Sequence, residues 1–377
     1  MELSKRIPQL DGIRGLAILQ VLLWHYVAIL PSHSRTVLSY LQHLLCLTWS
    51  GVDLFFVLSG FLIGGILLDH KDAPNYFSVF YARRFFRILP FYFIILLVGY
   101  FLNCIGQIDS SRMGQMIPWY WYLTFTQNFW LSTHANFSFW LVQSWSLAVE
   151  EQFYALLPIA IWLVPIKRVP HVLLSMIVLA PVIRIALFLH LSYAQATTTA
   201  YAMLPCRMDA LLLGVFLAYI MRQPNVFAWL SLNCRLLNMF FAGLLLIAGV
   251  MILNVWGYGS AFTTTVGYSV LGLLYSFLVL IAIVGKQGFI KRLTTLEPLR
   301  RLGTLAYGIY LVHLLIPYYI FRYFGRNGIT LSTSTDFLIL LASCFAVYAV
   351  AAVSWKCFEK PILEIGHRWE YRRDPVI

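Results

Sequence analysis

Apolar stretches of about twenty residues recur along this chain, and they decide what it can fold into. The sequence is 60% hydrophobic and 11% charged, with a mean hydropathy of +0.77. A soluble domain carries about 25% charged residues, so the bilayer is the main solvent of this chain. We therefore predict an all-α polytopic membrane protein.

The hydrophobic pattern predicts about ten transmembrane helices. They lie at about 13–31, 49–68, 86–105, 145–165, 172–191, 208–222, 236–255, 263–285, 303–323 and 335–357. The length of 377 residues suits a single membrane-embedded domain over 1–377, with a short cytoplasmic tail at about 358–377. One further apolar stretch, 116–131, is rich in Trp, Tyr, Asn and Gln, and it either re-enters the membrane or lies at the interface.

The distribution of Lys and Arg predicts the orientation. If 116–131 does not span the membrane, most of the basic loops lie on one side, and both termini share that side. If the stretch spans, everything downstream inverts and most basic loops lie outside. The positive-inside rule favours the first arrangement, so we predict both termini in the cytoplasm.

Arg14 and His25 are separated by ten uncharged residues, Gly15 to Trp24. Eleven positions are almost three helical turns, so the two side chains share a face, roughly 16 Å apart along the axis. Arg14 then lies at the cytoplasmic mouth of a span and His25 lies deep within it. Ionisable groups inside a bilayer are costly, and their default interpretation is functional.

With this orientation, several polar side chains fall at one depth, in the outer half of the membrane. They are His25, Asp53, Glu150, Glu151, Arg207, Asp209 and His313. Such a set is a plausible reaction chamber. A second, basic cluster lies on the cytoplasmic side and consists of Arg14, Arg83, Arg84, Arg87 and the loop Lys286–Arg301. Because arginines bind phosphates by charge-assisted hydrogen bonds, a long cofactor such as coenzyme A fits both clusters.

Seven short motifs in register cover nearly the whole chain. They are QLDGIRGLA at 9–17 followed by His25, GVDLFFVLSGFLI at 51–63, RRFFRILP at 83–90, WSLAVEEQFY at 145–154, RMDA at 207–210, YGIYLVH at 307–313 and EKP at 359–361. Together they resemble the acyltransferase-three family of integral-membrane O-acyltransferases, which move short acyl groups from cytoplasmic acyl-CoA to hydroxyls, usually on bacterial surface polysaccharides. Many relatives carry an appended esterase-like domain, which we expect to be absent here.

The resemblance implies roles for individual residues. It implies that His25 is the catalytic histidine, that Arg14, Arg83 and Arg84 bind acyl-CoA, and that Glu150 supports the acceptor side. We expect substrate contacts from Trp145, Arg207, Asp209 and His313, and no metal. Asp53 or Glu150 is a candidate to orient His25, and Glu151 is an alternative to Glu150. Direct transfer and an acyl-histidine intermediate both stay open.

Plainer interpretations exist for several of these residues. His313 is equally a packing residue hydrogen-bonded to a nearby tyrosine, and Asp53 is equally a helix N-terminal carboxylate. For Arg83 and Arg84 the alternative role is that of topology anchors, although the functional role is favoured. The functional prediction is a bacterial inner-membrane enzyme that transfers an acyl group, most simply acetyl, from acyl-CoA to a glycan or a lipid-linked sugar. The alternative is a transporter or flippase of a lipid-linked sugar, which needs no acyl-CoA.

Overall fold

A computed structural model describes residues 7–30, 37–106, 117–134, 141–254, 257, 259–285 and 287–372. Of the residues named above, Lys286 lies outside these ranges. The regular elements in the described ranges are all helical, which confirms the all-α prediction. The chain divides into two compact units. Unit 1 comprises Met1–Gly65, Leu131–Thr133 and Val164–Ala306, and unit 2 comprises Ile66–Trp130, His134–Leu163 and Tyr307–Ile377.

The α-helices follow one another along the chain with short connections. They are α1 (Pro8–Leu23), α2 (Val37–Leu44), α3 (Gly51–Asp69), α4 (Tyr76–Cys104), α5 (Trp119–Leu123), α6 (Gln127–Thr133), α7 (Trp145–Leu163), α8 (Val169–His190), α9 (Tyr193–Ala202), α10 (Leu204–Ile220), α11 (Pro224–Leu232), α12 (Cys234–Leu253), α13 (Tyr268–Val284), α14 (Phe289–Thr295), α15 (Glu297–Val312), α16 (Leu315–Tyr323), α17 (Ser334–Ser354) and α18 (Lys360–His367). Short π-helical turns extend three of them, at Trp24–Ala28, Thr263–Gly267 and Trp355–Glu359.

Every predicted span coincides with a helix or a pair of helices. By length and composition, seven helical segments of the described ranges can cross a membrane, or eight if the bent pair α15–α16 is one span. The first helix and α7 are not among these segments. The count of ten spans and the cytoplasmic location of the termini therefore stay predictions.

Three details differ from the sequence-based boundaries. The third predicted span began at about 86, whereas α4 begins at Tyr76, so Arg83 and Arg84 lie within a helix and not in a loop. The predicted tail is helical as far as His367, because α18 packs against α4 and Gly366 lies directly against Phe86. In addition, the ninth predicted span is broken between Val312 and Leu315, where the helix axis bends by 61°.

The ambiguous stretch 116–131 forms the two short helices α5 and α6, of 5 and 7 residues. A spanning helix needs about twenty residues, so neither crosses a bilayer as a helix. This agrees with the assumption on which the predicted orientation depends. Residue 116 itself lies outside the described ranges.

Glycines allow the helices of unit 1 to approach closely. A methyl group at Gly15 of α1 would collide with the carbonyl group of Leu299 in α15. Between α3 and α10, the same holds for Gly60 against Leu211 and for Gly214 against Val57. Backbone-to-backbone packing through small residues is common between membrane helices, where apolar contacts alone give no preference over lipid. These contacts fix the helices that carry Arg14, Asp53 and Arg207.

Candidate active-site residues in each unit

The first helix of unit 1 carries both Arg14 and His25, and it is continuous from Pro8 to Ala28. Arg14 donates to the carboxylate of Asp11 at 2.7 Å, and its side chain is 24% exposed. The side chain of Arg14 is therefore only partly buried. His25 lies in the π-helical turn that ends this helix. Single π-helical turns occur frequently at functional sites.

The imidazole of His25 has a defined orientation. Its Nδ1 atom lies 2.9 Å from the carbonyl oxygen of Val21, one turn earlier on the same helix. A carbonyl oxygen only accepts hydrogen bonds, so in the neutral ring this contact places the proton on Nδ1. The lone pair then lies on Nε2, which is the atom able to accept a proton from a substrate. A backbone carbonyl thus has the orienting role that we expected of a carboxylate.

A residue that the sequence did not suggest holds the end of this π-helical turn. The Nε2 atom of Gln42, in α2, donates to the carbonyl oxygens of Val27 at 2.9 Å and Leu30 at 2.8 Å. Carbonyl groups at a helix end have no partner within the helix and are satisfied by side chains or water. No periodicity or spacing identifies this contact, because Gln42 lies on a different helix from Val27.

Asp53, Arg207 and Asp209 belong to a buried ionic network in unit 1. Arg207 donates to Asp53 at 2.6 Å, and its guanidinium lies 4.0 Å from the ring centre of Tyr268. Asp209 accepts two hydrogen bonds of 2.9 Å from Arg184, and all four charged side chains are at most 1% exposed. The sequence had suggested Asp53 as a partner of His25, and the structure pairs it with Arg207. Arg184, which lies within the predicted span 172–191, is thus paired with Asp209.

In unit 2, the neighbouring arginines Arg83 and Arg84 have different surroundings. Arg83 donates to the carbonyl oxygen of Trp369 at 2.7 Å and lies over the ring of Tyr371. Arg84 is attracted to the carboxylate of Glu151, and its buried Nε has no hydrogen-bond partner among the described residues. Arg84 is therefore the member of the pair with a donor left for a ligand.

A second cluster of unit 2 surrounds the break between α15 and α16. His313 lies at this break, is fully buried, and its Nδ1 donates to the carbonyl oxygen of Tyr310 at 2.7 Å. The hydroxyl of Tyr310 lies 2.5 Å from that of Ser146, which follows the buried Trp145 at the start of α7. Glu150 lies one turn further along α7 and interacts electrostatically with Tyr310.

The two adjacent glutamates of α7 are thus distinguished by their neighbours. Glu150 interacts with Tyr310, whereas Glu151 interacts with Arg84. Consecutive positions on a helix point about 100° apart, so the two carboxylates serve different faces of α7. The sequence left this choice open, and it stays a prediction that Glu150 is the one on the acceptor side.

Comparison with known proteins assigns the chain to a family. A family model described as an acyltransferase domain matches residues 7–356. This chain belongs to that family of acyltransferase domains. The match confirms the resemblance carried by the seven motifs, and it identifies the chain as an acyltransferase.

Relatives in the family are similar over nearly all of this chain. The peptidoglycan O-acetyltransferase OatA of Listeria monocytogenes is 27% identical over 96% of the chain and 56% of its own length. The O-acetyltransferase OatA of Staphylococcus aureus is 24% identical over 96% of the chain and 58% of its own length. The putative peptidoglycan O-acetyltransferase YrhL of Bacillus subtilis is 26% identical over 97% of the chain. The chain thus spans little more than half the length of these relatives. No solved structure matches it.

Proposed function

We propose that this acyltransferase moves an acetyl or other short acyl group from acyl-CoA to a hydroxyl group of a glycan. Membership of the family supports acyl transfer, and the names of the relatives support a glycan such as peptidoglycan as acceptor. Lipid-linked sugars and surface polysaccharides carry the same hydroxyl chemistry. The location we propose is the bacterial inner membrane, with acyl-CoA reaching the protein from the cytoplasm.

The single observation that carries this proposal is the orientation of His25. The Val21 carbonyl oxygen accepts the hydrogen bond of Nδ1, so the lone pair lies on Nε2, which is the ring atom that acts as the general base. In this mechanism, Nε2 takes the proton of the acceptor hydroxyl while the oxygen attacks the thioester carbonyl carbon. The C–S bond then breaks, and the imidazolium returns the proton to the departing CoA thiolate. The products are the O-acyl ester and free CoA, and the imidazole is neutral again.

Arg14 supports the donor side of this proposal. It lies on the same helix as His25, roughly 16 Å away along the axis, and is partly exposed. A guanidinium at this distance suits the phosphates of a ligand whose other end reaches the imidazole. Asp11, its partner at 2.7 Å, fixes the guanidinium without burying it.

The test is the release of free CoA by the purified full chain, given acetyl-CoA and soluble peptidoglycan fragments. We expect His25→Ala to lower turnover by about 10²–10⁴-fold, as the loss of a general base does. His190→Ala, at the exposed end of α8, is the matched control and should retain the wild-type rate. Turnover by His25→Ala at the wild-type rate would refute the catalytic assignment. Mass spectrometry of cell-surface glycans from a deletion strain and its complement would identify the acyl group and the acceptor together.

A further inference from the structure

In unit 2, near the N-terminal end of α7, Gln127 and Gln143 have buried amide oxygens that the proposed mechanism does not use. We propose that the side-chain amide oxygens of Gln127 and Gln143 accept hydrogen bonds from hydroxyl groups of the sugar acceptor. This inference rests on the proposed function, because it names the site at which the acceptor of that reaction is held.

Gln127 has a fixed orientation inside the protein. It is fully buried, and its Nε2 atom donates to the carbonyl oxygen of Ser144 at 2.8 Å and to the hydroxyl of Ser144 at 3.1 Å. A flipped amide would place two acceptor oxygens against each other, so the positions of nitrogen and oxygen are determined. The Oε1 atom is buried and has no hydrogen-bond partner in the part of the chain that the structure describes.

Gln143, which precedes Ser144 in the chain, also has a side chain of fixed orientation. It is 3% exposed, and its Nε2 atom donates to the carbonyl oxygen of Leu311, next to the helix break at His313. Its own backbone carbonyl accepts from the hydroxyl of Tyr310 at 2.7 Å, which fixes the main chain as well. The Oε1 atom of Gln143 is also buried and without a partner among the described residues.

Two buried acceptors of this kind call for a donor from outside the chain. A buried polar atom without a partner destabilises the folded state, and folded proteins keep few of them. Another amide side chain of this region does have hydrogen-bond partners at both of its ends. Gln152, in the same region, donates to the carbonyl oxygen of Phe125 and to the side-chain oxygen of Asn128, both at 2.8 Å, and accepts from the Asn128 amide. The amide oxygens of Gln127 and Gln143 thus lack a donor, whereas that of Gln152 has one.

The chemistry of the missing donor matches a sugar. An amide oxygen is an acceptor only, and the hydroxyl groups of a glycan are abundant donors. A site built to hydrogen-bond substrate hydroxyls discriminates strongly against analogues that lack them. Glu150, which the resemblance places on the acceptor side, follows Gln143 in the chain and lies on α7.

The backbone around the two glutamines is strained. Phe125 and Leu141 have φ values of 53° and 52°, in the left-handed region that bulky side chains rarely adopt. Phe125 lies two residues before Gln127, and Leu141 lies two residues before Gln143. Local strain of this kind persists where the surroundings enforce it and clusters at functional sites. It is a second observation, independent of the hydrogen bonds, that marks this segment as a site.

The experiment uses the purified full chain, acetyl-CoA and an N-acetylglucosamine trisaccharide as acceptor. Gln127→Met and Gln143→Met keep the length of the side chain and remove the amide. For each, we expect the KM of the trisaccharide to rise about tenfold, equivalent to the loss of one hydrogen bond, while the KM of acetyl-CoA stays within twofold. Gln152→Met is the matched control and should leave both KM values within twofold, since both ends of its amide serve the protein alone.

A second measurement covers variants that fold poorly. The trisaccharide alone should raise the melting temperature of the wild-type chain, as a ligand of the folded state does. The shorter variants Gln127→Asn and Gln143→Asn, which withdraw the oxygen but keep an amide, should lose this shift. Equal KM values and equal shifts in wild type and variants would show that the two oxygens bind structural water only, and would overturn the proposal.

Failure of this inference is distinguishable from failure of the proposed function. A wild-type chain that releases no CoA with any glycan overturns the proposed function itself. A wild-type chain that acetylates peptidoglycan fragments but neither acetylates nor binds the trisaccharide overturns the sugar-hydroxyl assignment of Gln127 and Gln143 and leaves acyl transfer standing.

Discussion

Asp53 and Arg207 form a buried ion pair with 2.6 Å between Oδ1 and Nη2, although they stand 154 residues apart in the chain. Asp53 lies in the first turn of α3, and Arg207 lies in α10. Both are about 1% exposed. Their first role is therefore to join two helices of unit 1, and any chemical role is added to this structural one.

Removing one member of the pair should destabilise the protein strongly. We expect Asp53→Asn to cost about 3–5 kcal/mol, because it leaves the Arg207 charge buried without its counterion. The measurement is thermal unfolding in detergent. The control is Glu297→Gln, which breaks an exposed pair with Arg301 and should leave the melting temperature nearly unchanged. Equal stability of the two variants would contradict the structural role of Asp53.

Close helix contacts give a second prediction. Gly60→Ala introduces a methyl group against the carbonyl of Leu211, where the backbones of α3 and α10 meet. We expect a loss of about 1–3 kcal/mol from overpacking. Gly243→Ala, in α12, is the matched control, since its methyl group meets open space. The control should be neutral or stabilising by about 0.5–1 kcal/mol, because alanine favours a helix over glycine. A stable Gly60→Ala variant would show that α3 and α10 have room to separate.

The positions of the helices could be predicted from the sequence because a helix buried in lipid needs a continuous apolar stretch. About twenty apolar residues make a span, and every predicted span coincides with helical structure. The predicted helix ends were wrong where a helix extends beyond its apolar stretch. Arg83 and Arg84 lie just before the apolar stretch, but α4 already begins at Tyr76, because charged side chains do not prevent helical hydrogen bonding.

The candidate residues could be predicted by type and spacing, but their partners could not. His25 and Arg14 lie on one helix, so their relation follows from helical geometry alone. The pairing of Asp53 with Arg207, and of Gln143 with Leu311, joins residues 154 and 168 positions apart. Such contacts depend on tertiary packing, which a single sequence does not report.

Arg84 gives a third prediction. Its buried Nε has no hydrogen-bond partner among the described residues, and Glu151 is its acidic neighbour. We expect Arg84→Ala to raise the KM of acetyl-CoA about tenfold and to weaken its dependence on salt, because a phosphate contact is screened by ions. The measurement is CoA release at several salt concentrations.

Arg235→Ala, in α12, is the matched control for Arg84→Ala. It removes the same charge from an exposed side chain outside the basic cluster, and it should leave the KM of acetyl-CoA within twofold. If Arg84→Ala binds acetyl-CoA as tightly as the wild type at every salt concentration, Arg84 serves only to anchor the topology.

Gln42 gives the last prediction, and it tests whether the shape of the π-helical turn matters for catalysis. Its amide donates to Val27 and Leu30 and so fixes the turn that carries His25. Displacement of a catalytic group by about 1 Å lowers the rate by up to about 10²-fold. We therefore expect Gln42→Leu to lower kcat by at least about tenfold. The KM of acetyl-CoA should stay within twofold of the wild-type value. Gln223→Leu, just before α11, removes the same amide as a control. A purely structural role would instead lower the melting temperature and the yield of folded protein, with kcat per folded molecule unchanged, and that result would separate Gln42 from the chemistry of His25.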